Sequence, residues 1–193
     1  VLNPLASERS DIVEVTIPNP TFHGVAAVYG PDGNELPTQA VAADKWSQTY
    51  QFQVAVPPLS QSAFFIHSLK VKDPPTSNLS VSTSSLENAR YKLAIDENGD
   101  VTSIFEKRLN RELLTAPIQF QLLFNKPRQW PAWEIQYEDI ILAPRAVLGG
   151  PAVIKVIERG PVRAAIEINR KTATSSFKTT ISLIENSDHI EFR

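Results

Sequence analysis

The protein has 193 residues, of which 42% are hydrophobic and 21% charged, so it can bury one large core or two small ones. Its formal net charge is -2, and basic and acidic residues are interspersed along the chain, which argues against nucleic acid as a partner. The absence of cysteine excludes disulfides and a cysteine nucleophile, permits a reducing compartment and favours the cytoplasm. The apolar runs are far shorter than the roughly 20 residues that span a bilayer, so no membrane partner is expected.

The first part of the sequence has a dominant period of two, which is typical of strands with one buried and one exposed face. In residues 46–56 the even positions are mostly apolar, from Trp46 through Tyr50 and Phe52, so this strand should place them in a core. Further strands are predicted at 13–17, 24–29 and 63–71.

A second β-rich part follows a proline-rich segment, DPPTS at residues 73–77, which predicts a linker and a domain boundary at residue 75. Residues 91–95 and 101–105 alternate in hydropathy around the turn-forming sequence DENGD, which predicts a hairpin. Further strands are predicted at 118–124, 133–142, 152–158, 162–169, 177–184 and 190–192. Residues 106–114 are too short and charged for a stable helix, and they predict a turn or a single helical turn.

These patterns predict an all-β fold with two domains. Residues 1–75 should form a small β-sandwich, and residues 76–193 should form the first part of a larger β-sandwich. The chain starts at Val1 and contains no methionine, so we expect it to be a piece of a longer protein whose other strands complete the second sheet.

The sequence predicts no catalytic or metal site. His23, His67 and His189 are isolated from one another, whereas a zinc site needs three or four converging ligands. No nucleophile elbow, phosphate-binding loop or zinc-binding helix motif is present, and no glycosidase carboxylate pair can be assigned. The segment should therefore hold no cofactor of its own.

The most informative local pattern is PRQWPAWEI at residues 127–135. Trp130 and Trp133 could stack on the C–H face of a sugar ring while Arg128 and Glu134 hydrogen-bond its hydroxyls. The alternative is that both indoles pack between the sheets and Arg128 is an ordinary surface residue. These four residues are the candidate substrate-binding residues.

Several motifs resemble the glycoside hydrolase family 38 α-mannosidases, in the β-rich half that follows the catalytic domain of that family. The motifs occur in the same order in this chain as in the family. Residues 1–15, VLNPLASERSDIVEV, resemble the family's V-x-N-P-x-x-W-x-R-x-D-x-V, with Ser7 in place of a common tryptophan. LENARY at 86–91, DENGDVTSI at 96–104 and REL at 111–113 are similar to its L-E-N-x-x-Y, D-x-x-G-x-I-x-S-I and R-E-L. WPAWEI at 130–135 resembles W-D-A-W-D-I, with Pro131 and Glu134 in place of aspartates, and GPVRA at 160–164 resembles a strand further on.

The resemblance implies that the parent protein is a retaining exo-α-mannosidase, which removes terminal α-linked mannose from oligosaccharides. It also implies a galactose-mutarotase-like supersandwich for the second domain. The aspartate nucleophile and a zinc ion would belong to an N-terminal catalytic domain outside this chain, on which the β region packs. Residues 130–135 would then contribute to the wall of the substrate pocket.

Two other hypotheses about function remain open from the sequence. A free-standing carbohydrate-binding sandwich would use Trp130 and Trp133. An aldose-epimerase-like enzyme would need paired histidines and a carboxylate, and three scattered histidines argue against it.

Overall fold

The computed structural model of the protein describes residues 1–18, 25–69, 76–130 and 132–193. These residues form β-strands in several sheets and one four-residue helix, so the predicted all-β fold is confirmed. The predicted domain boundary at residue 75 and the first part of the linker lie outside the described residues. No helix in the described ranges is long and apolar enough to cross a lipid bilayer.

Two three-stranded antiparallel sheets pack together in the N-terminal part, which we call the small sandwich. The strands are β1 (Leu2–Asn3), β2 (Arg9–Pro18), β3 (Val25–Tyr29), β4 (Glu35–Leu36), β5 (Thr38–Ala43), β6 (Ser47–Val56), β7 (Ser60–Gln61) and β8 (Phe65–Leu69). The two sheets have the orders β2-β6-β5 and β4-β3-β8, and β1 pairs with β7. The core contains Val28 from one sheet and Phe52, Val54 and Val56 from the other.

Strand β6 shows how far the period of two predicts burial. Tyr50 and Phe52 are buried as expected, but Trp46 is 67% exposed. The indole precedes the strand, in a turn where the Asp44 carboxylate accepts the backbone N–H groups of Trp46 and Ser47. Strand β6 therefore begins at Ser47, one residue later than predicted.

The second part of the chain forms a five-stranded and a four-stranded sheet, which together we call the large sandwich. Its strands are β9 (Ser80–Val81), β10 (Ser85–Glu87), β11 (Tyr91–Ile95), β12 (Val101–Glu106), β13 (Arg111–Glu112), β14 (Gln121–Leu122), β15 (Ala146–Val147), β16 (Val153–Arg159), β17 (Arg163–Lys171), β18 (Ser176–Ile184) and β19 (Ile190–Phe192). The sheets have the orders β13-β12-β11-β10-β9 and β16-β17-β18-β19, while β14 pairs with β15. Leu86, Leu93 and Ile104 from the first sheet share a core with Ile166 and Ile181 from the second.

The predicted hairpin is strands β11 and β12 joined by residues 96–100. The Asp96 carboxylate accepts the backbone N–H groups of Asn98 and Asp100, which closes the turn, and Gly99 adopts a φ of 80° that favours glycine. The predicted turn in residues 106–114 is also present, because β12 ends at Glu106 and the short β13 begins at Arg111.

Two of the predicted strands, which lie between β13 and β16 in the sequence, differ from the structure. The predicted strand at 133–142 is wrong, since this segment contains the helix α1 (Tyr137–Ile140) and exposed apolar side chains. These side chains are exposed, so the apparent alternation of residues 133–142 does not produce a buried face. The predicted strand at 118–124 shrinks to β14, with one isolated bridge from Ile118 to Val101.

Candidate carbohydrate-contact site

A tight turn places Trp130 and Trp133 side by side. The carbonyl oxygen of Trp130 accepts the backbone N–H groups of Trp133 and Glu134 at 3.1 and 3.0 Å. Trp130 has a φ of 55°, a left-handed conformation that is uncommon for a large side chain. The two indole rings are nearly parallel, with 6.0 Å between centroids and 16° between planes.

Both indoles face solvent. Trp130 is 59% exposed and Trp133 is 77% exposed. The alternative that they pack between the sheets is therefore wrong. Arg128 is exposed and Glu134 is half-buried, while Pro131 lies outside the described residues. The structure thus brings the two indoles together and leaves the sugar-binding role of all four candidates a prediction.

The aromatic pair continues into a longer exposed apolar surface. Ile135, Tyr137, Ile140, Ile141 and Leu142 are exposed, and with the two indoles we call them the apolar segment. The Asp139 carboxylate accepts the backbone N–H of Lys126 at 2.6 Å, which ties α1 to the segment that precedes the indoles. Seven large apolar side chains within 13 positions are more than an isolated surface hydrophobe and are typical of a contact surface.

The two histidines that the structure describes, His67 and His189, do not form a site with one another. His67 is exposed and its ring meets the edge of Tyr29, whereas His189 is exposed and its Nδ1 lies 3.0 Å from the Ser187 hydroxyl. His23 lies outside the described residues. Among the residues that the structure describes, no three His, Asp or Glu side chains converge in a way that could hold a metal ion. Those residues therefore offer no fit for the zinc that the resemblance implies.

The carboxylates with altered acidity have structural partners. The Ser103 hydroxyl, together with the backbone N–H groups of Leu114, Ile104 and Leu113, lowers the pKa of Glu112 to about 2. The Arg90 guanidinium lowers the pKa of Asp188. Hydrogen bonds that favour the ionised form suit structural acceptors, whereas a general acid needs a raised pKa.

The LENARY motif at residues 86–91 contains a buried structural residue to which the sequence assigned no role. Asn88 is completely buried, and its side-chain amide donates to the carbonyl oxygens of Ile184 and Ser187 at 2.9 and 3.2 Å. Its oxygen accepts the backbone N–H groups of Arg90 and Tyr91. Asn88 thus joins the two sheets of the large sandwich at the turn before β19.

An open cleft of about 700 Å³ lies between β2 of the small sandwich and β18 and β19 of the large one. Its charged side chains form pairs within the wall: Arg9 with Asp11, Arg163 with Glu14, and Arg193 with Glu191. These pairs leave no concentration of charge of one sign that would select a charged ligand.

Residues 86–193 match the profile of the glycosyl hydrolases family 38 C-terminal domain, and they make up more than half of the chain. The chain belongs to glycosyl hydrolase family 38.

Solved structures of this family share the fold of the chain. An α-mannosidase from Enterococcus faecalis V583 is similar over 99% of the chain, with a TM-score of 0.60 and 16% sequence identity. A glycosyl hydrolase family 38 protein from Enterococcus faecalis is similar over 98%, with a TM-score of 0.56 and 16% identity. The chain spans only 28% and 29% of these two proteins. No curated protein sequence matches the chain significantly.

Proposed function

We propose that this family 38 chain is the non-catalytic β region of a retaining exo-α-mannosidase, which hydrolyses terminal α-linked mannose from oligosaccharides. The observation that carries the proposal is the likeness of the chain, over almost its full length, to part of an α-mannosidase, together with the family match. The catalytic nucleophile and the zinc ion would belong to an N-terminal catalytic domain of the same protein.

The lowered pKa values of two carboxylates favour a structural role over a general-acid role for them. Retaining glycosidases place two carboxyl groups about 5 Å apart, one ready to act as an acid and one as a nucleophile. In this chain the carboxylates of Glu112 and Asp188 are committed to hydrogen bonds and ion pairs that hold them ionised. A carboxylate held in this way is a poor proton donor at neutral pH.

The apolar segment supports a contact between the β region and the catalytic domain. Ile135, Tyr137 and Ile141 are at least 61% exposed, and burying them against a partner would remove apolar surface from water. Trp130 and Trp133, with Arg128 and Glu134, would then lie at the margin of that contact and line the substrate pocket of the whole enzyme.

An activity assay tests this proposal. The isolated chain should not hydrolyse 4-nitrophenyl α-mannoside, and the whole protein, expressed from the complete gene, should hydrolyse it with retention of anomeric configuration. Turnover by the purified chain alone would contradict the non-catalytic role. Failure of the whole protein to act on α-mannosides, while it acts on another glycoside, would contradict the substrate class.

A second candidate function is a free-standing carbohydrate-binding module, and the exposed, stacked indoles favour it. Exposed aromatic faces are suited to stacking on sugar rings. Calorimetric titration of the isolated chain with mannose and mannobiose distinguishes the two candidates. Affinity that is lost in Trp133→Ala but kept in Trp46→Ala would support the binding module, and the absence of affinity would favour the accessory region.

A further inference from the structure

The two sandwiches meet at a buried polar contact centred on Gln39 of β5. Gln39 is 4% exposed, and its side-chain oxygen accepts the backbone N–H groups of Val162 and Arg163, both at 2.9 Å. Its side-chain nitrogen donates to the Glu158 carboxylate at 3.1 Å. One residue of the small sandwich therefore makes three hydrogen bonds to the large sandwich.

The Glu158 carboxylate accepts hydrogen bonds from residues of both sandwiches. Gln51 of β6 donates to Oε2 of Glu158 at 2.7 Å, and the Arg163 guanidinium donates to both carboxylate oxygens. The same guanidinium lies 3.5 Å from a carboxylate oxygen of Glu14 in β2. The hydrogen bond to the Glu158 carboxylate raises the pKa of Arg163, so the guanidinium stays ionised and its hydrogen bonds to Glu158 are charge-assisted.

The first described residues after position 75 are fixed to the same end of the large sandwich. The Ser77 hydroxyl and the backbone N–H of Asn78 donate to the Glu185 carboxylate at 2.5 and 2.8 Å. The backbone N–H of Glu185 donates in turn to the carbonyl oxygen of Val162 at 3.0 Å. The chain thus enters the large sandwich beside the residue whose N–H is bound to Gln39.

We infer that Gln39, Gln51, Glu158 and Arg163 form an interdomain lock that holds the two sandwiches in one orientation and makes them unfold together. Hydrogen bonds fix distance and direction, so a rotation or sliding of one sandwich on the other would break several buried bonds at once. An apolar contact of the same size would tolerate such sliding more easily, because the hydrophobic effect is non-directional.

Native-state hydrogen exchange in urea, followed by mass spectrometry, tests the coupling. Peptides from β6 and β17 should show the same opening transition in the unsubstituted chain. In Gln39→Met, β6 should exchange roughly tenfold faster than β17 at the same urea concentration. Gln53→Met is the matched control. Gln39 pairs with Gln51 across β5 and β6, and Gln53 lies two residues from Gln51 on the same face of β6 but donates to Ser10 within the small sandwich.

Separate transitions for the two peptides in the unsubstituted chain would overturn the inference. Equal effects of Gln39→Met and Gln53→Met would also overturn it. If Gln39→Met does not fold, Glu158→Gln carries the same comparison, because it keeps the size of the side chain and removes the charge that holds Arg163.

A distance measurement tests the fixed orientation. The chain contains no cysteine, so spin labels can be attached to cysteines introduced at Ala43 and Lys155, which are exposed on the small and large sandwich respectively. Double electron–electron resonance spectroscopy should give one narrow distribution of the distance between the two labels. This distribution should broaden in Glu158→Gln and stay narrow in Gln53→Met. A broad distribution in the labelled chain without lock substitutions would show that the sandwiches move independently.

Discussion

Gly99 lies so close to Ile168 that a Cβ atom at position 99 would overlap the Cγ2 atom of the isoleucine. Ile168 is completely buried in β17, and the neighbouring Arg170 donates to the carbonyl oxygens of Asn98 and Gly99. The turn between β11 and β12 is therefore pressed onto the opposite sheet. Only a residue without a side chain fits there.

Gly99→Ala should lower the free energy of unfolding by about 2–4 kcal/mol, because the positive φ and the overlap with Ile168 both act against the new methyl group. Urea unfolding followed by circular dichroism measures this change. Gly33→Ala is the matched control: Gly33 has a similar φ of 78°, but a Cβ there would meet no atom within 4 Å. Its loss should be about 1 kcal/mol, and equal losses at the two positions would contradict the packing argument.

Asn88→Ala should lower the free energy of unfolding by about 3 kcal/mol. The substitution leaves the backbone groups of Tyr91 and Ile184 without their side-chain partner in a buried place. Asn34→Ala, at an exposed residue that bonds to Asp32 in its own turn, should change stability by less than about 0.5 kcal/mol. A similar small change for Asn88→Ala would show that Asn88 does not join the two sheets.

Local patterns predict the strands of this fold better than they predict its buried polar residues. The hairpin of β11 and β12 follows from alternation and turn chemistry, both of which depend on neighbouring residues. Gln51 occupies a position predicted to face water, yet it is completely buried because Glu158 of the other sandwich covers it. Gln51 and Glu158 are 107 positions apart, so the alternation of residues near Gln51 cannot predict this contact.

In the candidate site, local sequence patterns do not predict which apolar residues are exposed. The sequence indicates that Trp130 and Trp133 are unusual, and the turn at Trp130 explains how they come to stack. Their exposure could not be predicted, since an apolar residue three positions from another fits a core or a contact surface equally well. The helix α1 follows from no signal in residues 133–142, because four residues are too few to show a period.

Acid should weaken the attachment of β13 to β12. The pKa of Glu112 falls from 4.5 to about 2 in the folded chain, so its contribution to stability is complete above pH 4.5 and is lost as the pH falls toward 2. Ser103→Ala removes the largest cause of the lowered pKa and should shift the carboxylate titration, followed by NMR, to higher pH. Thr102→Ala is the control, because the Thr102 hydroxyl donates to the carbonyl oxygen of Ala94. Identical titration curves for the two variants would contradict the role of Ser103.

The two glutamines of the interdomain lock should differ in their contribution to stability. Gln39→Met leaves two backbone N–H groups and Glu158 with fewer partners, so it should lower the free energy of unfolding by about 2–3 kcal/mol. Among the described residues, the Gln51 side chain makes one hydrogen bond, to Glu158, and its buried oxygen has no hydrogen-bond partner, so Gln51→Met should lower the free energy of unfolding by about 1 kcal/mol or less. Thermal or urea unfolding of both variants measures the order, and the reverse order would contradict the assignment of Gln39 as the centre of the lock.

Trp133→Ala should separate a role in substrate contact from a role in folding. Trp133 is 77% exposed, so its removal should change the stability of the chain by less than about 0.5 kcal/mol. In the whole enzyme, loss of stacking on the sugar should lower kcat/KM for an aryl α-mannoside roughly fivefold. Trp46→Ala removes another exposed indole, from the tip of the β5–β6 hairpin, and should leave kcat/KM unchanged. Full activity in both variants would contradict a place for Trp133 in the substrate pocket.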